Sequence, residues 1–188
     1  GDYLWIVPAP ARTNPDQDIA LEPFMVLMTL VRRMASFVVL DVPHQWTRWV
    51  NSVLLDANEV VITACPDLTN LRDAKNIFDT LGPQRGVDSP IRLVLNKEGA
   101  SKRTELTAKN FQEALNVAPA AILSFAPAVF GRSLNDGVIV ADLDKGGRNT
   151  KELSKLATVV SARGVQAKPK AGKRRRPVLS LLKLKSAS

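Results

Sequence analysis

The sequence predicts an α/β domain: a mostly parallel sheet with helices on both faces. Three observations carry that prediction. Short continuous apolar runs recur at residues 4–7, 37–40, 60–64, 91–95 and 120–125. Segments with apolar residues at helical spacing separate them, which is the pattern of strand–helix–strand units. Several runs end in a polar residue or a Pro-containing turn, as strands do where they leave a sheet.

Each element has its own reason. Residues 4–7 and 37–40 read as strands, the second as a buried one, because four apolar residues in a row need cover on both faces. Residues 23–35 read as a helix, with Phe24, Leu27, Met28 and Val31 on one stripe and Pro23 in the first turn, where its missing N–H costs nothing. Residues 46–55 read as helical. Val60–Ala64 is the next strand, and Cys65-Pro66-Asp67 turns it into a helix capped by Asp67 or Thr69. Leu71, Ala74, Phe78 and Leu81 mark that helix, which Gly82-Pro83 ends. Residues 91–95 form a strand. Phe111, Ala114 and Leu115 mark a helix after Thr107, and residues 120–125 are the last strand. Leu153, Leu156, Ala157 and Val160 mark a final helix, with Asn149 or Thr150 as its cap.

Charge divides the chain in two. Residues 1–163 hold 18 basic and 18 acidic residues, so the net charge of +8 resides in residues 164–188, which hold 8 basic residues and no acidic one. That tail runs through Lys, Pro, Gly and Arg to Pro177 and cannot bury enough apolar surface to order itself. Its end, residues 173–185, interleaves Leu and Val with cations. Three readings fit it: an amphipathic segment on an anionic membrane surface, a solubilising tail, or an arm for nucleic acid. A balanced body weighs against nucleic acid as the main partner. Hydrophobic residues make up 45% of the chain and charged residues 23%, ordinary for a globular protein. No apolar run is long enough to span a bilayer. The start shows no basic region followed by an apolar stretch, as a secretory signal would, and its abrupt entry into strand-like sequence predicts that the natural chain extends further toward the N-terminus. The single cysteine, Cys65, excludes an internal disulfide and reads either as a small buried hydrophobe at a strand end or as a reactive thiol.

Two strand ends carry candidate chemistry. FVVLDVPH places Asp41 at the C-terminal tip of an apolar run. A carboxylate there either holds Mg²⁺, a hard cation that prefers oxygen ligands and keeps several waters, or caps the helix near Trp46. RLVLNKEG places Asn96 at the tip of another. Its side chain matches the donor–acceptor edge of adenine, or simply suits a turn. His44, the only histidine, reads as a packing or surface residue or as a contact to nucleotide or partner.

DVPH, VVITACPDLTNLRDAKN, RLVLNKEG and FAPAVFGRSLNDG together resemble the ParA/MinD P-loop ATPases and, more closely, the CpaE/TadZ proteins of pilus assembly. The resemblance covers roughly residues 3–163, and DAKN with NK-x-G is its specific part. It implies a C-terminal portion of an ATPase domain, a dimer with ATP between the protomers, and slow hydrolysis that resets a switch. In that comparison Asp41 matches the Walker B aspartate near Mg²⁺, and Pro43 and His44 fall in the switch segment. Asn96 and Lys97 fall on the adenine side. Residues 126–130, with Pro127 and Ala128, match the loop that closes over the base. The implied partners are a second copy of the chain and pilus or secretion machinery. The implied location is the cytoplasm, peripherally at the inner membrane or the cell pole. One family feature is missing. A K-G-G-x-G-K-[ST] loop, whose backbone amides and lysine cradle phosphates, does not occur in residues 1–188, and Lys145-Gly146-Gly147 lacks the second lysine and a preceding strand. The corresponding strand is expected between residues 37–40 and 60–64 in the sheet. The remaining alternatives are a non-hydrolysing localisation scaffold and a DNA-partitioning ATPase.

Overall fold

The apolar run at 91–95 becomes the middle of the sheet. A computed structural model of the chain describes residues 4–8, 20–86, 88–101 and 103–161. Strands β1 (Val60–Ala64), β2 (Ile91–Glu98) and β3 (Ala121–Ser124) form one sheet in the order β1-β2-β3. Both pairings are parallel, with Val60 opposite Ile91, Ala64 opposite Leu95 and Val94 opposite Ala121. The expected parallel α/β class is what the chain adopts.

Side-chain alternation along β2 explains why its sequence is continuously apolar. Leu93 and Leu95 share a core with Ala64, Ala74, Phe111 and Leu115, whereas Val94 packs with Ala121 and Leu123 on the opposite face. Helices α3 (Leu68–Leu81) and α4 (Ala108–Leu115) supply the first face, and α7 (Arg148–Ser161) covers the second through Leu153 and Leu156. Leu81, Leu93 and Phe111 are fully buried. Each such side chain contributes about 1.5–3 kcal/mol from removing apolar surface from water.

The helix starts follow their capping residues. Asp67 caps α3 by accepting a hydrogen bond from the Asn70 amide, at 2.8 Å. Thr107 and Asn110 form a reciprocal box at the start of α4, each side chain accepting the other's amide. Ahead of the sheet, α1 (Leu21–Met34) and α2 (Arg48–Asp56) pack together through Trp49, Val50 and Val53 against Leu21 and Phe24. The Phe24 and Trp49 rings lie 5.1 Å apart, tilted by 56°. Thr47 caps α2, accepting from the Val50 amide.

Several expectations are corrected. Residues 4–7 and 37–40 form no strand, and Val39 is 92% exposed. A strand exists only in a ladder, and no segment among the described residues pairs with the outer side of β1, where the resemblance expects one more strand. Residues 126–130 are not a loop. Ala126 is the cap of α5 (Pro127–Asp136), so Pro127 and Ala128 form the first turn of a helix. That helix and the short α6 (Val140–Leu143) contain no fully buried residue, although Val129 and Phe130 of α5 are half-buried. The final helix begins at Arg148, so Asn149 and Thr150 lie inside its first turn and are not caps. The boundary at 163–164 and the basic segment 173–185 lie outside the described residues.

The two edges of the sheet differ. On the outer side of β3, the Glu152 carboxylate accepts from the Ile122 amide at 3.1 Å, and Asn149 bonds both backbone groups of Ser124. Side chains of α7 thus stand where a fourth strand would, which blunts that edge. Nothing among the described residues does the same for β1.

Two local features generate predictions. The Arg85 guanidinium donates to the carbonyls of Leu54, Ala57 and Asn58 and so closes the C-terminal end of α2 onto the turn at Gly82–Gln84. Arg85→Ala leaves several of those carbonyls unsatisfied. Charged hydrogen bonds contribute roughly 1.5–3 kcal/mol, so urea unfolding should show a loss of about 2 kcal/mol. In β2 the register shifts between Leu95 and Glu98, and Lys97 adopts a left-handed backbone, φ 62°. That conformation costs a side-chain-bearing residue about 1–2 kcal/mol. Lys97→Gly should therefore raise stability by about 1 kcal/mol despite glycine's entropy in the unfolded chain, and Lys97→Val should lower it. A thermal melt of both variants checks the sign.

Candidate functional site

Because all three strands run parallel, their C-terminal ends share one edge of the sheet. Three segments leave from it: Cys65-Pro66-Asp67 after β1, Asn96-Lys97-Glu98 at the end of β2, and Phe125-Ala126-Pro127 after β3. Ligands of open α/β sheets bind at this edge, outside the carboxyl ends of the strands.

Polar side chains hold each turn. After β1, the Asn70 amide group accepts from the Cys65 N–H at 3.2 Å and donates to the Asp67 carboxylate at 2.8 Å. The hydrogen bonds from the Asn70 backbone and side chain hold the Asp67 carboxyl below its ordinary pKa. Its contribution is therefore present above the ordinary value near 3.8 and is lost as the pH falls through the lowered one. After β2, the Glu105 carboxylate accepts from the amides of Ser101 and Gly99, each at 2.9 Å, and these bonds lower its pKa as well. The Leu106 amide donates to the Pro66 carbonyl at 2.8 Å, tying the β2 loop to the β1 turn. Between the two turns lies a cleft of about 110 Å³ lined by Cys65, Asp67, Lys97, Ser101, Thr104 and Glu105. A larger cleft of about 230 Å³ lies beside Ile91, Ala120 and Lys155, at the opposite ends of the strands.

Asn96 is half-buried near the tip of β2. Its Oδ1 accepts from the Lys97 amide at 2.9 Å. Among the described residues nothing else bonds it, which leaves one acceptor lone pair and both Nδ2 hydrogens, the donor–acceptor set that an adenine edge needs. The residue therefore fits a base. Lys97 is exposed beside it.

Asp41, Pro43 and His44 are exposed in the link between α1 and α2, and the neighbouring Val42 packs against the Trp49 cluster. Since residues 37–40 form no strand, Asp41 does not stand at a strand tip. The described residues contain no group of three His, Cys, Asp or Glu side chains able to hold a metal. A single carboxylate such as Asp41 fits Mg²⁺ only where phosphate oxygens and water complete the six positions. Lys145-Gly146-Gly147 lies between α6 and α7, without the preceding strand of a phosphate loop. The described residues thus offer a group that fits the base of a nucleotide, and the sequence contains no K-G-G-x-G-K-[ST] loop to cradle phosphate.

Sequence reasoning missed the clasp behind this edge. Arg148 pairs with Glu98 at 2.6 Å, and the next residue, Asn149, is only 4% exposed and bonds Ser124 at 2.8 and 3.1 Å. The one signal in the sequence was an Asn near the start of a helix, which reads equally well as a cap.

No family model matches the chain. A curated relative, the septum site-determining protein MinD of Bacillus subtilis (strain 168), is 24% identical over 96 residues, which are 51% of this chain and 35% of that protein. Solved structures align over more of the chain. The ParA family ATPase from Chlorobium tepidum TLS gives a TM-score of 0.68 at 17% identity, over 83% of this chain and 62% of that one. MinD of Pyrococcus horikoshii OT3, complexed with Mg-ADP, gives 0.62 at 20% identity, over 76% and 58%. The MinC:MinD cell division complex of Aquifex aeolicus gives 0.63 at 15% identity, over 77% and 60%. The chain spans about a third of the curated relative and about three fifths of these solved structures. The sheet order, the helices on both faces and these alignments agree, and the chain has the ParA/MinD P-loop ATPase fold.

Proposed function

We propose that the full-length protein is an ATP-dependent switch of the ParA/MinD type, and that this chain supplies the base side of its nucleotide site. The observation that carries the reading is Asn96. It sits at the C-terminal edge of a parallel sheet of this fold, with an acceptor and two donors free, and a solved relative of the same fold is complexed with Mg-ADP. Lys97 would flank the base, and the first turn of α5 at Pro127 and Ala128 would border it. Asp41 would approach Mg²⁺, with Pro43 and His44 in the switch segment beside it. When bound, the metal neutralises phosphate charge. The chain's own part is to orient the base and to add one carboxylate oxygen.

The motifs DVPH, DAKN and NK-x-G support a narrower reading, in which the switch serves pilus assembly as in CpaE/TadZ proteins. ATP would lie between two copies of the protein, and the dimer would place secretion machinery at the inner membrane or the cell pole. The basic segment 173–185 would then add membrane attraction of about 1 kcal/mol per cation near an anionic surface. No helix among the described residues is long and apolar enough to cross a membrane. A second reading is a scaffold without hydrolysis. A degenerate K-G-G-x-G-K-[ST] loop elsewhere in the full-length protein favours it, and a complete one favours the switch.

Two substitutions in the full-length protein test the site. Asn96→Ala should collapse the preference for ATP over GTP, because it removes the group that reads the base. Asp41→Ala should weaken Mg²⁺-dependent binding or hydrolysis with both nucleotides and leave their ratio unchanged. Titrations with Mg-ATP and Mg-GTP measure both effects. An intact ATP preference in Asn96→Ala sinks the base assignment.

A further inference from the structure

We propose that Asn149 is a positioning residue for the nucleobase, fixing from behind the backbone segment that borders Asn96. The inference rests on the base-side reading above. Four observations lead to it.

First, Asn149 is the buried polar residue among the described residues, at 4% exposure. A buried amide must be hydrogen-bonded, and it spends its capacity on one target. Its Oδ1 accepts from the Ser124 amide at 2.8 Å and its Nδ2 donates to the Ser124 carbonyl at 3.1 Å. Second, the residue after Ser124 is held from the other side, since the Phe125 amide donates to the Glu98 carbonyl at 2.7 Å. The last residues of β3 are thus gripped between β2 and α7. Third, Arg148, adjacent to Asn149, binds the Glu98 carboxylate at 2.6 Å. Two neighbouring residues of one helical turn therefore set the tips of two strands relative to each other. Fourth, the gripped tip leads within three residues to Pro127, where α5 starts.

A base seated on Asn96 would be bordered by that segment. Asn149 cannot touch the base, because it lies on the far side of β3 from β2. It acts through Ser124. A backbone displaced by an ångström at a recognition site lowers binding steeply, so the effect of losing the clasp should exceed its effect on stability alone. Glu152 provides the contrast. It caps the Ile122 amide, two residues earlier in β3, and so supports the same strand without holding its tip.

The test uses the full-length protein and four variants: Asn149→Ala, Asn149→Asp, Glu152→Ala and Asn96→Ala. Dissociation constants are measured for Mg-ATP and Mg-GTP, and amide exchange of Ser124 is followed in the nucleotide-free protein. Asn149→Ala should reduce the ATP-over-GTP ratio about tenfold and speed Ser124 exchange. Asn149→Asp keeps the bond from the Ser124 amide but sets a carboxylate oxygen against its carbonyl, so it should also lower the ratio. That variant also carries the test if Asn149→Ala does not fold. Glu152→Ala should lower the melting temperature and leave the ratio as it is. The proposal is overturned if Asn96→Ala collapses the ratio while both Asn149 variants keep it. It falls together with the base-side reading if Asn96→Ala itself leaves the ratio intact. Equal losses of ratio in Glu152→Ala and Asn149→Ala also overturn it, since they would assign the effect to general loosening of β3.

Discussion

Burial of β2 on both faces is the constraint from which the rest of this structure follows. Leu93 and Leu95 commit one face to α3 and α4, and Val94 commits the other to α7. Its two hydrogen-bonding sides are taken by β1 and β3. With strands that advance in sequence order and pair in parallel, the chain must cross back between them, and helices are the connections that manage this while covering the faces. All three strand ends then emerge on the same side. The site is therefore a product of topology before any of its side chains is considered. Asn96 and Lys97 stand within β2, and Pro127 a few residues beyond β3, because those strands end there.

The asymmetry of the two edges adds a second layer. An exposed strand edge offers unpaired backbone groups to any other strand. At β3 the chain closes that opportunity with Asn149 and Glu152, polar side chains that imitate the backbone of a neighbour. At β1 it does not. Val61, on that strand, is 39% exposed, and Phe37 and Val39, in the link before α2, are 64% and 92% exposed. Exposed apolar residues thus remain on β1 and in the link that precedes α2, whereas the outer side of β3 is sealed.

Much of this architecture was legible in the residues, and the failures have identifiable causes. β1, β2 and β3 were readable because burial on two faces demands uninterrupted apolar runs. α3 and α4 were readable from their stripes and from Asp67 and Thr107 at their starts. Residues 37–40 carry the same apolar signal and form no strand, because hydrophobicity reports a demand for cover and not the presence of a ladder partner. α5 reads as a loop because its match to a family loop outweighs its own apolar pair, Val129 and Phe130, which the helix half-buries. At the candidate site, Asn96 was legible as a polar residue ending a buried strand. The left-handed Lys97 was not, since glycine is the residue that announces such a backbone. Asn149 was visible but misassigned, because a helix cap and a clasp on a neighbouring strand call for the same short amide. The placement of Asp41 depended on a strand that is not formed, and its link to the sheet edge could not follow from local sequence.

The order of the strands also bears on how the chain can assemble while it is being synthesised. Val60 meets Ile91 and Val94 meets Ala121, so each new ladder closes a loop of about thirty residues onto a strand already made. The β1–β2 pair, with α3 across it, can form before β3 has left the ribosome. The clasp cannot. Asn149 and Glu152 lie some 25 to 30 residues after the strand they secure, so β3 spends an interval of translation with its outer amides open to water or to another chain. Release of α7 from the exit tunnel closes that edge. The time between the emergence of β3 and that of α7 thus sets how long the growing chain can pair through β3 with the wrong neighbour.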